Sequence, residues 1–338
     1  DNAMRLLAGL QAQPTEADRR EAFAAGFRVE AAYGWTGVHS MAVDWQDVLL
    51  LEALDKAGQA PLRVYNAVTG DVFVCPEAEA FSTCDITTRA IKLFEDGALG
   101  SRGAALFEAY ADSPGATGLV RTPPEVMAAA MRKARAAGIQ VATHAIGDRG
   151  NAEVLDLYAR EAPADGRWRI EHAQILRPAD IPRFAKQGVI ASMQPSHAIG
   201  DLHFAPSRLG EARLAGAYAW NSLLKSGAVV VGGSDAPVER GAPLIEFYAA
   251  VARKDLKGFS APDWHPEETL SRAEALKLFT SSAAYARFAE KDLGTIQVGK
   301  RADFSGFSAD LMTVPVDAIP KAHAVLTVVD GKVVYRAD

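Results

Sequence analysis

The feature that most limits the fold of this chain is an alternation. A short apolar run is followed by an amphipathic stretch, and the pair recurs along most of the sequence. "GWTGVHSMAV" (34–43) reads as a strand and "DWQDVLLLEALDKAG" (44–58) as its helix. "PLRVYNAVTG" (61–70) and "AIKLFEDG" (90–97) are the next strands. The helix "TPPEVMAAAMRKARAAG" (122–138), with Thr before its prolines and Gly at its end, leads into "IQVATHAIG" (139–147). Helix 150–162 precedes strand 167–175, helix 178–188 precedes strand 189–198, and helix 211–227 precedes strand 228–238. Seven strands alternating with helices predict parallel pairing through right-handed crossovers.

Two α/β architectures satisfy that pattern. A doubly wound nucleotide-binding sheet opens on a Gly-rich phosphate turn, and neither GxGxxG nor GxxxxGK[ST] occurs. Polar residues fall instead at the C-terminal ends of several strands: His39, Lys92, His144, His172, His197 and Asp235. Barrel enzymes build sites this way, from strand ends that converge on one mouth. The expected fold is therefore a (β/α)8 TIM-type barrel over residues 1–290, with seven of its eight strands visible. The helix at 16–34 precedes the first strand, so strand one is expected upstream of a chain that opens on "DNAMRLLAGLQ". After a helix at 271–290, the pieces 293–308 and 324–338 suggest the C-terminal part of a small β-sandwich spanning 291–338. "VVDGKVVY" there carries the Asp-Gly signal of a hairpin.

Composition excludes some classes. The 338 residues are 49% hydrophobic, enough for a large core. A net charge of −6 with no basic block argues against nucleic acid as a partner. No apolar run approaches the ~20 residues of a membrane span. The opening residues lack the basic start, apolar core and cleavage site of a signal peptide. Cys75 and Cys84 form neither a disulfide framework nor a CxxC knuckle; ordinary thiols and a single pair both stay open.

The strand-end residues carry the chemistry. His144 in "ATHAIGDRG" and His172 in "RIEHAQ" end consecutive strands, and neighbouring strands lie about 5 Å apart. Their imidazoles could share one ion. Asp235, in "GGSDAPVE", ends the last strand and faces the same mouth if the barrel closes. Two His and one Asp match the ligand types of a catalytic Zn²⁺ that keeps a position open for water. Lys92 lies inside an apolar run, where a lysine needs a partner. It either pairs with Glu95 or Asp96, snorkels, or acts as a neutral amine that captures CO₂ and bridges two ions as a carbamate.

"IKLFEDGALGSRGAAL", "THAIGDRG", "RIEHAQ", "SMQPSHAIGD" with the following "SGAVVVGGSDAPVE", and "LGTIQVGKRADF" together resemble the amidohydrolase superfamily. Within it they are similar to the N-substituted formamide deformylase-like metal-dependent hydrolases. The resemblance runs in order over nearly the whole chain. It implies a metal-dependent barrel that hydrolyses an amide or related non-peptide C–N bond in a small molecule. It implies carboxylated Lys92 as a bridging ligand, His144 and His172 on one divalent ion, and Asp235 as ligand and proton shuttle. Zn²⁺ is the expected metal, as one or two ions, although the donors also suit Mn²⁺ or Fe²⁺. His197 and His39 are expected to line the substrate site, and Asp148 to cap its helix. The family's His-x-His on the first strand is missing here, which agrees with a first strand upstream. The alternative is a non-catalytic or single-metal relative, a binding module or a lyase or isomerase. Substrate identity, localisation and oligomeric state are not legible, and a homo-oligomer stays open.

Overall fold

The computed structural model describes residues 13–69, 81–82, 85–262 and 264–338. Cys75 and Cys84 lie outside the described residues. The first helix, α1 (Glu16–Tyr33), begins at a capping box of Thr15 and Asp18 and stops at Gly34, whose φ of 99° suits glycine. The alternation then follows: β1 (Gly37–Val43), α2 (Trp45–Lys56), β2 (Arg63–Thr69), a short β3 (Phe81–Ser82) and β4 (Ile86–Phe94). Next come α3 (Pro124–Ala136), β5 (Gln140–Ala145), α4 (Asp148–Glu161), β6 (Arg169–His172), α5 (Ile181–Gln187) and β7 (Ile190–Met193). Short helices α6 (Pro195–Asp201), α7 (Ala205–Leu209) and α8 (Trp220–Lys225) lead to β8 (Val230–Gly232).

Seven strands pair in parallel in the order β1-β2-β4-β5-β6-β7-β8, and β3 adds antiparallel to β4. The result is a curled, parallel part-barrel, as the alternation predicts. β1 and β8 form its edges; among the described residues no strand joins them. Register sets what points inward. Lys92, Ala142 and Arg169 share one row, and Phe94, His144, Glu171 and Ser192 share the row two residues further on. Residues two apart on a strand lie on one face, so both rows line the interior. The opposite face is apolar: Val141, Ile170, Ala191 and Val230 pack with Met127, Leu155 and Phe184 from the helices.

The chain continues through α9 (Pro243–Ala252), α10 (Arg272–Phe279) and α11 (Ser281–Ala286). β9 (Phe304–Phe307), β10 (Ala324–Val329) and β11 (Lys332–Arg336) form a separate antiparallel sheet. The β10–β11 hairpin turns at Asp330-Gly331, with φ of 50° and 77°, as the Asp-Gly signal requires. Arg63 at the start of β2 is ion-paired with Asp303 and Asp85, tying this sheet to the barrel.

Two expected helices are broken. The 211–227 stretch is a 3-10 turn (Glu211–Gly216), then an extended joint, then α8. Gly216 is pressed on Leu176: a Cβ there would lie 1.7 Å from the Leu176 carbonyl oxygen. The carbonyls of Ala217 and Tyr218 accept from buried Arg253 at 3.0 and 2.9 Å, bonds a continuous helix would not release. The 271–290 stretch breaks at Thr280, whose φ of −124° and ψ of −93° are not helical. Several strands are also shorter than their apolar runs suggest; β8 has three residues.

Candidate metal centre

His144 is the fifth residue of β5 and faces the interior beside Phe94. His172 ends β6 directly after the inward Glu171. Consecutive strand residues point to opposite faces, but His172 has φ of 75° and Ala173 of 42°. This left-handed step breaks the alternation. The two imidazoles meet edge to face, their centroids 4.6 Å apart. His172 Nδ1 is 2.8 Å from the Gln194 Oε1 that follows β7, so the amide oxygen accepts its proton and Nε2 carries the lone pair. Burial first, then the charges of His144 and Lys92, hold His172 well below the ordinary imidazole range. It is neutral, as a ligand must be.

Lys92 is only 5% exposed. Burial lowers its amine to about 8, against the opposing pull of Glu171 and Asp235. Neither Glu95 nor Asp96 forms an ion pair with it among the described residues. Its Nζ lies 5.3 Å from the Phe94 ring centre, and that ring is 5.8 Å from the His144 ring.

Asp235 lies three residues past β8, with φ of 57°. Its side chain is 39% exposed at the mouth. Partial desolvation raises its carboxyl above the ordinary range, against the pull of Lys92. His197 falls inside α6, past the strand end expected for it. Its ring stacks on His172 at 5.8 Å and 19°, and its Nε2 is 4.0 Å from Asp235 Oδ2. Burial lowers it to about 4. Lys92, His144, His172, His197 and Asp235 thus gather at the C-terminal end of the sheet.

His39 does not join them. It is the third residue of β1, level with Tyr65 and Thr87, five residues before Lys92 on β4. Its Nδ1 accepts from Arg169 at 2.8 Å. Asp148 is the first residue of α4, after Gly147; its Oδ1 accepts from the N–H groups of Arg149 and Phe107.

Three further residues surround the group, and two of them, Glu171 and Gln194, lie beyond the sequence reading. Glu171 is ion-paired with Arg169; burial pushes it up, but Arg169 and Lys92 hold its carboxyl below the ordinary range. Gln194 fixes His172. Asp96, fully buried, lies 3.4 Å from His144 Nε2. Strand periodicity marks Glu171 as inward; no sequence signal marks the other two as partners of the histidines.

As a place for a cation, this donor set fits in chemistry. It holds two imidazoles, one carboxylate and a lysine close to neutrality, and the buried His144 Nε2 has no hydrogen-bond partner. Among the described residues, no three His, Cys, Asp or Glu side chains converge closely enough to hold an ion by themselves.

A curled parallel sheet with polar groups at its C-terminal edge is the arrangement on which barrel enzymes build their sites. The amidohydrolase family profile matches residues 1–335, and the chain belongs to that family. It is 35% identical to YtcJ of Bacillus subtilis (strain 168) over 310 residues, 90% of this chain and 59% of that protein. It is 27% identical to the N-substituted formamide deformylase of Arthrobacter pascens, over 90% of this chain and 58% of that protein. A metal-dependent hydrolase from Pyrococcus furiosus superposes with a TM-score of 0.80 at 28% identity, covering 88% of this chain and 61% of that one. The chain thus spans about three fifths of the length of these relatives.

Proposed function

We propose that this chain carries one face of the active site of a metal-dependent hydrolase acting on an amide or related non-peptide C–N bond of a small molecule. The observation that carries the reading is the meeting of His144 and His172 at 4.6 Å, with buried Lys92 and the more exposed Asp235 at the same end of the sheet, in an amidohydrolase-family chain. The name of the Arthrobacter relative supports the bond class.

His144, His172, Lys92 as its carbamate, and Asp235 would hold the divalent ion, with Zn²⁺ the first choice. When bound, such an ion polarises a carbonyl and acidifies water. The chain's own residues do the rest. Lys92, partly neutral near pH 8, attacks CO₂ through Nζ; one N–C bond forms and one proton leaves to solvent, giving an anionic oxygen donor. Asp235, at the mouth with a raised carboxyl, accepts a proton from water and returns it to the leaving nitrogen. His197, between His172 and Asp235, contacts the substrate.

Metal content and hydrolysis of N-substituted formamides by the full-length protein test this reading. Expected are bound divalent metal, activity lost on chelation and restored by Zn²⁺, and a fall of at least ~10²-fold in kcat for Asp235→Asn. Undiminished turnover in metal-free protein overturns it. Among the described residues no closed three-donor cluster occurs, and that favours a second reading, a single-metal or non-catalytic relative. Full retention of function by Asp235→Asn would select it.

A further inference from the structure

The long loop after β4 closes on itself where it starts. The N–H groups of Gly97 and Leu119 both donate to the Gly103 carbonyl at 3.1 Å, and the Arg121 N–H donates to the Glu95 carbonyl at 2.7 Å. A Cβ on Gly97 would lie 3.1 Å from the Gly103 Cα, and one on Gly103 3.2 Å from the Gly97 Cα, so the base of the loop is pressed shut. The backbone of Arg121 is thereby fixed beside the end of β4.

The Arg121 guanidinium lies over the Phe94 ring, 4.7 Å from its centre. Phe94 belongs to the interior row that holds His144. Its ring is 5.3 Å from Lys92 Nζ and 5.8 Å from the His144 ring. Arg121 therefore stands at the mouth, one aromatic ring away from the candidate metal centre.

The charged groups around it are already matched. Asp96 accepts from the N–H groups of Ala105 and Gly147 at 2.8 Å and of Ile146 at 2.9 Å. Glu95 is fully buried against Glu153. Arg102 and Arg208, on the loops that follow β4 and β7, both pair with Asp112. The Arg121 side chain is exposed and makes no hydrogen bond or ion pair among the described residues. An aromatic face attracts a guanidinium without using any of its N–H donors. Those donors remain as a planar fork that fits a carboxylate.

We propose that Arg121 is an anion-binding residue of the substrate site and selects amides that bear a carboxylate. The proposal rests on the hydrolase reading above. The mouth is polarised to suit such a molecule. The guanidinium stands beside β4, and the Asp235 carboxylate lies past β8, four places along the sheet. An anionic tail held at Arg121 fixes which end of the amide turns toward the histidines.

The test is calorimetric titration of the full-length protein at low salt with matched formamides. N-formylglycine, N-formyl-β-alanine and N-formyl-γ-aminobutyrate are compared with N-methyl-, N-ethyl- and N-propylformamide, which lack only the carboxylate. The wild type is expected to bind at least one acid ~10-fold or more tightly than its neutral counterpart, the effect of a charge-assisted hydrogen-bonded pair. Arg121→Met is expected to bring that ratio to about one, and Arg121→Lys, which keeps the charge but not the fork, to retain part of it. KM for the acids should rise in the same order, with less change in kcat. A wild type that prefers none of the acids overturns the proposal, as does a preference that Arg121→Met retains in full. The hydrolase reading fails on a different result, undiminished turnover in metal-free protein, and the binding ratio still decides whether Arg121 is an anion site.

Discussion

Arg169 of β6 donates to His39 Nδ1 of β1 at 2.8 Å, joining two strands that are not neighbours in the sheet. The guanidinium also donates to Ser192 Oγ at 2.7 Å and pairs with Glu171. Arg169 and Glu171 are 2% and 3% exposed. The interior below the proposed metal centre is therefore polar but internally matched. Burial, then the charges of Arg169 and Arg287, hold His39 well below the ordinary imidazole range, so it acts here as a neutral acceptor.

Removing the arginine leaves a buried carboxylate without its partner. Arg169→Met is expected to destabilise the protein by about 3–5 kcal/mol, the cost of an uncompensated buried charge. The double variant Arg169→Met/Glu171→Leu removes both charges and is expected to recover much of that loss. Urea unfolding of the three proteins checks it. Equal stability of the single variant and the wild type contradicts the pairing described here.

Gly147 offers a backbone test. Its φ of −71° is open to any residue, so only space excludes a side chain. A Cβ would lie 2.0 Å from the Ala105 oxygen and 2.6 Å from its nitrogen, both backbone atoms. Gly147→Ala must push the loop after β4 off the turn that follows β5, breaking bonds to Asp96. A loss of about 2 kcal/mol or more is expected, in the upper part of the 1–3 kcal/mol range typical of overpacking or above it. Thermal melting and amide exchange at Ala105 and Gly147 check it; unchanged protection at both positions counts against the prediction.

How much of this was legible in the sequence depends on distance along the chain. Lys92, His144, His172 and Asp235 stand out because a polar group interrupts or ends an apolar run, a local signal. The parallel order follows from strand–helix alternation, also local. What fails is decided by remote partners. The break at Ala217–Ala219 is set by Leu176 and Arg253; within 211–227 only Gly216, which lets the chain press on Leu176, contributes to it. His39 does not end its strand: it is the third residue of β1, and the register places it low, against Arg169. Asp96 looked like a partner for Lys92 because it is four residues away, yet a strand end intervenes and its oxygens turn to Ile146, Gly147 and Ala105. The left-handed steps at His172 and Asp235, which aim both side chains, carry no Gly or Asn signal.

Lys92 gives the last prediction, through pH. Burial brings its amine from 10.5 when free to about 8 in the folded state. A lowered lysine means that the unfolded chain binds more protons between those two values. Stability then rises with pH from about 8 to about 10.5, as the buried ammonium loses its charge. Below pH 8 the full cost of burying that charge is present, about 3 kcal/mol at 1.36 kcal/mol per unit. Lys92→Met removes the charge and fills similar space. In metal-free, carbonate-free buffer the variant is expected to be more stable than the wild type at pH 7 by up to about 3 kcal/mol. The gap should narrow as pH approaches 10; assayed separately with Zn²⁺ and carbonate supplied, the variant should lack hydrolytic activity at every pH. Denaturant melts of both proteins at pH 7 and 9.5 check the sign. A variant less stable at pH 7, or a gap that widens with pH, would show that Glu171 and Asp235 compensate the ammonium more than its burial costs.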